Sequence, residues 1–144
     1  MADPGLRESI HKNMGNIENV RRAYLQKGPC QPKNHDFPWR NYGVMKRRFI
    51  PSWFNEHSSW LEYSISKDAA FCLFCYLFKA DHGGQGGSDA FVGEGFTNWR
   101  KKSKFDVHVG EGNNIHNICM KACQDLMNKK QHIEVCLSNH SDQT

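Results

Sequence analysis

Long hydrophobic runs are missing from this 144-residue sequence. Hydrophobic residues make up 38% of the chain, the mean hydropathy is −0.73, and no apolar run is long enough to span a bilayer. The opening Met1-Ala2-Asp3-Pro4-Gly5 is polar, and no apolar segment typical of a secretory signal follows it. We therefore expect an intracellular protein with one small domain. A core of that size usually needs a metal or disulfides for its stability.

Motifs of nucleotide-binding and common catalytic sites are also missing. The glycine-rich segment 81–88 lacks the Lys-Ser/Thr that completes a phosphate-binding loop, so we interpret it as a linker. A zinc deaminase needs His-x-Glu and Pro-Cys-x-x-Cys, but Ala70-Phe71 precedes Cys72 here. A thioredoxin-like redox pair needs a βαβ context with its first cysteine at a helix start, whereas Cys72 follows a strand-like run. No other acid–base pair or activated nucleophile stands out, and we predict that the chain is not an enzyme.

Six cysteines and eight histidines are available to build a stabilising site. Cys72 and Cys75 are separated by two residues, and His108 and His116 follow in a glycine-bearing segment that leads into a helical pattern. Two thiolates from one turn and two imidazoles from another element are donors that suit tetrahedral Zn²⁺. Because a reducing compartment disfavours disulfides, we predict one structural zinc site on these four residues.

The remaining cysteines and histidines give weaker patterns. Cys119 and Cys123 are one helical turn apart, and we interpret them as buried core thiols. A second metal site is an alternative for three residues at helical spacing: His132, Cys136 and His140. A polar tail, however, rarely holds its ligands in place before the metal binds. Side chains that we interpret as solvated or incidental are Cys30, His11, His35, His57 and His82.

A β-hairpin is predicted just before the cysteine pair. Trp60–Ile65 is aromatic and β-branched, as strands often are, and after the polar turn 66–68 the apolar run Ala69–Phe74 can return as the second strand. Upstream, Pro51 favours a short helical turn at residues 52–54. The fold class expected from these patterns is α+β: a small zinc-stabilised finger with a β-hairpin followed by helices.

Helices are predicted on both sides of this hairpin. Apolar residues between Ile10 and Tyr24 recur at helical spacing and would form one face of a helix. This helix is predicted to end at Gly28-Pro29. Thr97 is a candidate N-cap for a helix over 98–102. A second helical segment is predicted to start at Ser103 and to end at Gly110 and Gly112. The clearest helix begins at Asn113 or Asn114 and runs to about residue 130. We predict three parts with loosely ordered tails: an N-terminal arm over 1–36, the finger over 37–130 and a polar tail over 131–144.

Several segments also resemble a known family in their order and spacing. They are Asn19–Pro32, Arg47-Arg48-Phe49, Trp60–Ser64, Asp68–Phe78, Phe91–Lys101, His108-Val109-Gly110 and His116-Asn117. Together they resemble the TTF-type zinc finger of hAT-family transposases and of transposase-derived proteins, many of them from plants. The resemblance implies a nuclear, zinc-stabilised DNA-binding module whose CCHH ligands are Cys72, Cys75, His108 and His116. Longer relatives continue into an RNase H-like catalytic domain, which we expect this chain to lack.

Duplex DNA is the partner that this resemblance implies, and the net charge of +4 is compatible with it. Two basic clusters are candidates for phosphate contacts. They are Arg100, Lys101, Lys102 and Lys104, and, as a second patch, Lys46, Arg47 and Arg48. A solvated face is the alternative interpretation of each cluster, and a protein-interaction adaptor is the alternative function. We predict that Trp60, Tyr63, Trp99 and Phe105 pack in the core rather than stack on bases.

Overall fold

A computed structural model of the protein describes residues 3–10, 15–79, 90–110 and 114–141, with side chains up to residue 129 in the last range. Its elements are α1 (Ile17–Lys27), β1 (Arg40–Tyr42), β2 (Met45–Arg47), α2 (Trp53–Glu56), β3 (Leu61–Ser64), β4 (Ala69–Cys72), α3 (Leu73–Phe78), α4 (Ser103–Val109) and α5 (Ile115–Ser141). The α+β class is confirmed. No helix in these ranges is both long and apolar enough to cross a bilayer.

The predicted hairpin is confirmed as β3–β4, but its second strand ends at Cys72 rather than at Phe74, because Leu73 and Phe74 begin α3. The strands are antiparallel, with Leu61 opposite Cys72 and Ser64 opposite Ala69. Every residue of both strands is buried, because other elements cover both faces. Asp68 closes the turn with a φ of 50°, and its carboxylate accepts a hydrogen bond from Arg40 Nε at 2.7 Å. This contact joins the hairpin to β1.

A second hairpin, β1–β2, was not predicted. Arg40 pairs with Arg47, and Tyr42 pairs with Met45. The two strands lack the alternation of apolar and polar residues from which a strand is predicted. Long-range contacts hold the hairpin instead. The Tyr42 hydroxyl donates to the Thr97 carbonyl at 2.5 Å and accepts the Trp99 N–H at 3.1 Å.

The helix predicted over 98–102 is wrong, because residues 97–102 form a turn and α4 begins only at Ser103. Lys102, not Ser103, occupies the N-cap position, and no side chain caps the helix. The physical reason lies in the two contacts that Tyr42 makes. They hold the backbone of this segment by tertiary bonds that local propensity does not include.

The last helix begins as predicted but extends further. The Asn114 side chain accepts the N–H of Asn117 at 3.0 Å, which confirms it as the cap. The helix runs to Ser141 rather than to about residue 130, because no glycine or proline interrupts residues 131–141. It packs against α3, and Cys119 and Cys123 are buried as predicted.

Residues of the predicted N-terminal arm pack on the finger. Helix α1 ends at Gly28, as predicted, where the N–H of Gly28 bonds to the Tyr24 carbonyl at 3.0 Å. Arg21 is buried and its Nε donates to the Leu77 carbonyl at 2.8 Å. Cys30, which we expected to be solvated, is buried because its chain runs alongside β3. The boundary between residues 36 and 37 stays a prediction, and the linker 81–88, His11, His82, Gly112 and Asn113 lie outside the described residues.

Aromatic rings fill the centre of the fold. Phe49 has no exposed surface. Its ring lies between 4.8 and 5.4 Å from five others, measured between centroids. Those five rings belong to Phe37, Trp53, Phe54, Tyr63 and Trp99. The four aromatic residues predicted to lie in the core are all buried.

Gly95→Ala is expected to destabilise the fold by about 1–3 kcal/mol. Gly95 has a φ of +96°, and an added Cβ would lie 2.4 Å from the Cβ of Ala69 and 2.9 Å from the Phe71 ring. Denaturant unfolding measures the effect. Gly43→Ala is the matched control for backbone strain alone, since Gly43 also has a positive φ but nothing within 4 Å. Equal midpoints for the two variants would contradict the steric argument.

Candidate metal centre

Four predicted ligand side chains, contributed by four consecutive elements, meet at one point. Cys72 ends β4, Cys75 lies in α3, His108 lies in α4 and His116 lies in the first turn of α5. One donor atom from each lies within 4.8 Å of all the others. Three of the residues are buried and His108 is partly buried. The structure therefore brings together the whole set that the sequence predicted.

The spacing of these donors fits one tetrahedral ion. Cys72 Sγ lies 3.4 Å from His116 Nδ1, Cys75 Sγ lies 3.5 Å from His108 Nε2, and Cys75 Sγ lies 3.9 Å from His116 Nδ1. Zn–S bonds of about 2.3 Å and Zn–N bonds of about 2.0–2.1 Å at tetrahedral angles place sulfur and nitrogen about 3.6 Å apart. The residues therefore fit a Cys₂His₂ zinc site.

The cysteine half of the centre is set by the junction of β4 and α3. Cys72 has extended backbone angles and is the N-cap of α3, where its Sγ accepts the N–H of Cys75 at 3.5 Å. We argued against a redox pair because Cys72 follows a strand, and the structure shows that it also starts a helix. The βαβ context is still missing from the described part of the chain, where both sheets are two-stranded and antiparallel.

The histidine half is set by the junction of α4 and α5. Helix α4 ends at Gly110, which has a φ of +58°. The Asn114 side-chain amide then donates to the carbonyls of His108 at 3.3 Å and Val109 at 2.6 Å. One side chain thus ties the end of α4 to the start of α5 and fixes the separation of the two histidines. From the sequence we identified Asn114 only as a helix cap.

Aromatic rings surround the two imidazoles. The ring centroid of Trp60 lies 5.0 Å from that of His108 and 5.1 Å from that of His116. Phe91 lies 4.4 Å from His108. These contacts orient the imidazoles and keep water from the donors, as in other sites with an apolar outer shell. Sequence reasoning placed Trp60 in the core but missed the contact of Phe91 with His108.

Among the described residues, Cys30 and Cys123 lie outside the cluster. Burial raises the pKa of the Cys30 thiol to about 11, and the nearby Glu62 carboxylate adds to the rise. Burial likewise raises the pKa of Cys123 to about 12. Both thiols therefore stay protonated at neutral pH, whereas a zinc ligand must be a thiolate. The side chains of His132, Cys136 and His140 lie outside the described residues, so a second site in the tail stays a prediction.

One basic cluster belongs to the β1–β2 hairpin itself, since Lys46 and Arg47 lie in β2 and Arg48 follows it, and the other contacts the hairpin through Arg100. Arg100, Lys101, Lys102 and Lys104 are exposed, as are Lys46 and Arg47, while Arg48 is partly buried. The Arg100 guanidinium lies 5.6 Å from the ring centroid of Tyr42 in β1, so residues far apart in sequence become neighbours. Lys102 forms an ion pair with Glu56 at 2.9 Å.

Comparison with known proteins adds a family resemblance. Residues 89–144 match the family DUF4371, described as ZMYM1/FAM200, RNase-like domain. The chain is 34% identical over 120 residues to human zinc finger MYM-type protein 5. The chain is similar to the zinc finger MYM-type proteins. Corresponding proteins from Macaca fascicularis and Mus musculus are 38% identical over 82 residues and 35% identical over 63 residues.

These matches cover different shares of the proteins compared. The human match takes in 75% of this chain and 16% of its relative, and the other two take in 54% and 40% of this chain and 12% and 10% of theirs. No solved structure matches the chain. The family match includes His108 and His116 but begins after the cysteine pair. The TTF-type and hAT assignments, the nuclear localisation and the lack of a catalytic domain stay predictions.

Proposed function

We propose that this chain is a DNA-binding module whose fold is stabilised by one Zn²⁺ held by Cys72, Cys75, His108 and His116. The observation that carries the proposal is the convergence of these four donors at the separations of a tetrahedral site. Zinc would join the β3–β4 hairpin to the two C-terminal helices. With all four positions filled by protein ligands, such a site is structural and leaves no place for a substrate.

The proposed DNA contacts are the basic residues in or beside the β1–β2 hairpin: Arg100, Lys101, Lys102, Lys104, Lys46, Arg47 and Arg48. Six of the seven are exposed, and the contact of Arg100 with Tyr42 brings the two clusters to the same hairpin, which supports this assignment. Lysine and arginine at such positions neutralise phosphates and release counterions, which gives binding that weakens with salt. Lys102 is expected to contribute less, because its ammonium group is already paired with Glu56.

Lys101→Ala/Lys104→Ala is expected to weaken binding to duplex DNA. The slope of log affinity against log salt concentration is expected to become less steep by about 2, because each phosphate that is no longer neutralised contributes roughly 0.9 to the slope. Fluorescence anisotropy of a labelled duplex across a salt series measures both quantities. Lys33→Ala/Lys67→Ala is the matched control, because these two lysines are also exposed but lie outside the basic clusters. An unchanged affinity and slope in the first variant would contradict the assignment.

A protein-interaction module is the second candidate function, and the tip of the β1–β2 hairpin favours it. Val44 is fully exposed and Met45 is 42% exposed. The apolar face of α5 is less suited to a partner, because it already packs against α3. Normal DNA binding by the lysine variant, together with a protein partner that no longer binds Val44→Asp, would favour this second function.

A further inference from the structure

A groove of about 550 Å³ lies between residues 35–39 and the segment that leads from β2 into α2. Its lining is aromatic and buried, and includes Phe37, Phe49, Trp53 and Trp99. Lys46, Arg47 and Arg48 also line it, against the single carboxylate of Asp36. The charge and the ring-rich lining together favour an anionic ligand that has flat, apolar surfaces.

Trp39 is the exposed aromatic residue of this groove. Its side chain is 57% exposed, although tryptophan usually buries most of its surface. The Arg48 guanidinium lies 4.3 Å from the ring centroid and fixes the indole by a cation–π contact. The indole is therefore held in place while more than half of it stays open to a ligand.

Trp99 also lines this groove, and its indole N–H is an unpaired donor in the described part of the chain. Its side chain is 3% exposed, and its indole N–H is buried with no hydrogen-bond partner among the residues that the structure describes. A buried donor is costly to leave unpaired, and native proteins nearly always satisfy such groups.

We propose that the groove binds unpaired nucleotides of DNA, with a base stacked on Trp39 and the flanking phosphates neutralised by Lys46 and Arg47. This inference rests on the proposed DNA-binding function and adds to it a preference for unpaired over fully paired DNA. Stacking rings beside a basic track are typical of sites for single strands. An acidic peptide would use the same cations but does not require an open, flat indole.

Binding of the zinc-loaded 144-residue chain to three labelled DNAs tests the proposal. The probes are a single strand, a fully paired duplex and the same duplex with an unpaired bulge. Trp39→Ala is expected to weaken binding to the single strand and to the bulged duplex by about tenfold, and to leave the paired duplex nearly unchanged. Trp39→Tyr retains a ring and is expected to restore most of the affinity. Val107→Ala is the control, because Val107 is 65% exposed on α4, outside the groove.

The outcomes separate this inference from the function on which it rests. If the unaltered protein binds the paired duplex but Trp39→Ala affects all three probes equally or none of them, the groove proposal is overturned and DNA binding stands. If the protein binds none of the probes, the DNA-binding function itself fails. If an acidic peptide binds in a Trp39-dependent manner and the single strand does not, the occupant is a peptide and the proposal is wrong. Zinc content measured on each variant confirms that the fold is intact.

Discussion

Removing zinc from the purified protein is expected to unfold it, and metal analysis is expected to find one zinc per chain. Structural zinc contributes about 10–16 kcal/mol to the folding of small zinc modules. A chain of this length has a total stability of roughly 7–20 kcal/mol. Loss of the ion would therefore remove a free energy comparable to the whole stability. Circular dichroism during titration with a chelator measures the unfolding, and added zinc is expected to reverse it.

Cys75→Ser provides the matching genetic test. The hydroxyl is a poor zinc ligand at neutral pH, so this variant is expected to lose both the metal and the fold. Cys123→Ser is the control, because Cys123 is also a buried thiol on a helix but lies outside the cluster. It is expected to keep its zinc at a modest cost in stability. A metal-free protein that unfolds cooperatively at the midpoint of the zinc-loaded protein would contradict the assignment.

The ligand set could be predicted because each part of it has a strong local signal. The aromatic and apolar runs on either side of residues 66–68 indicate the β3–β4 hairpin, and the cysteine pair starts at the end of its second strand. The helical repeat after Asn114 specifies α5 and places His116 in its first turn. The chemistry of zinc then selects the two cysteines and two histidines from many candidates. Local sequence patterns were enough to predict the hairpin and the helix, because no long-range contact overrides the local preference of these segments.

Elements held by tertiary contacts could not be predicted in this way. The β1–β2 hairpin is short and polar, and its stability depends on the bonds between Tyr42 and residues 97–99. The same bonds override the local helical propensity of residues 98–102. The groove beside Trp39 could not be predicted for the same reason. Its lining comes from separate parts of the chain that meet only after folding: residues 35–39, residues 46–53 and Trp99. Long-range side-chain to backbone hydrogen bonds leave no periodic trace in a sequence.

Arg7→Ala is expected to destabilise the protein by about 3–5 kcal/mol. The Arg7 guanidinium lies 2.7 Å from Glu62 Oε1, and the two side chains are only 6% and 3% exposed. The other carboxylate oxygen of Glu62 accepts the N–H of Cys30 at 3.1 Å. Truncating Arg7 leaves a buried carboxylate without its counterion, which costs far more than losing an exposed pair. Denaturant unfolding of the zinc-loaded protein measures the difference.

Arg22→Ala is the matched control for this ion pair. Arg22 lies at the same distance, 2.7 Å, from Glu18, but that i, i+4 pair on α1 is more open to solvent, with side chains 18% and 46% exposed. Its loss is expected to cost less than about 1 kcal/mol. The double variant Arg7→Leu/Glu62→Leu removes both buried charges and is expected to recover most of the stability. If Arg7→Ala costs no more than Arg22→Ala, the buried pair does not stabilise the fold.

The outcome also bears on where the folding unit begins. A chain that starts at residue 37 would leave Glu62 without both Arg7 and the Cys30 N–H, and the Leu77 carbonyl without Arg21. Glu62 lies in β3 and Leu77 lies in α3, so these contacts bear on the two elements nearest the cysteine pair. If Arg7→Ala has the expected cost, residues 3–30 act as part of the zinc-stabilised core rather than as an arm. A truncated chain starting at residue 37 is then expected to bind zinc more weakly than the full chain, because part of the binding free energy must order a destabilised hairpin.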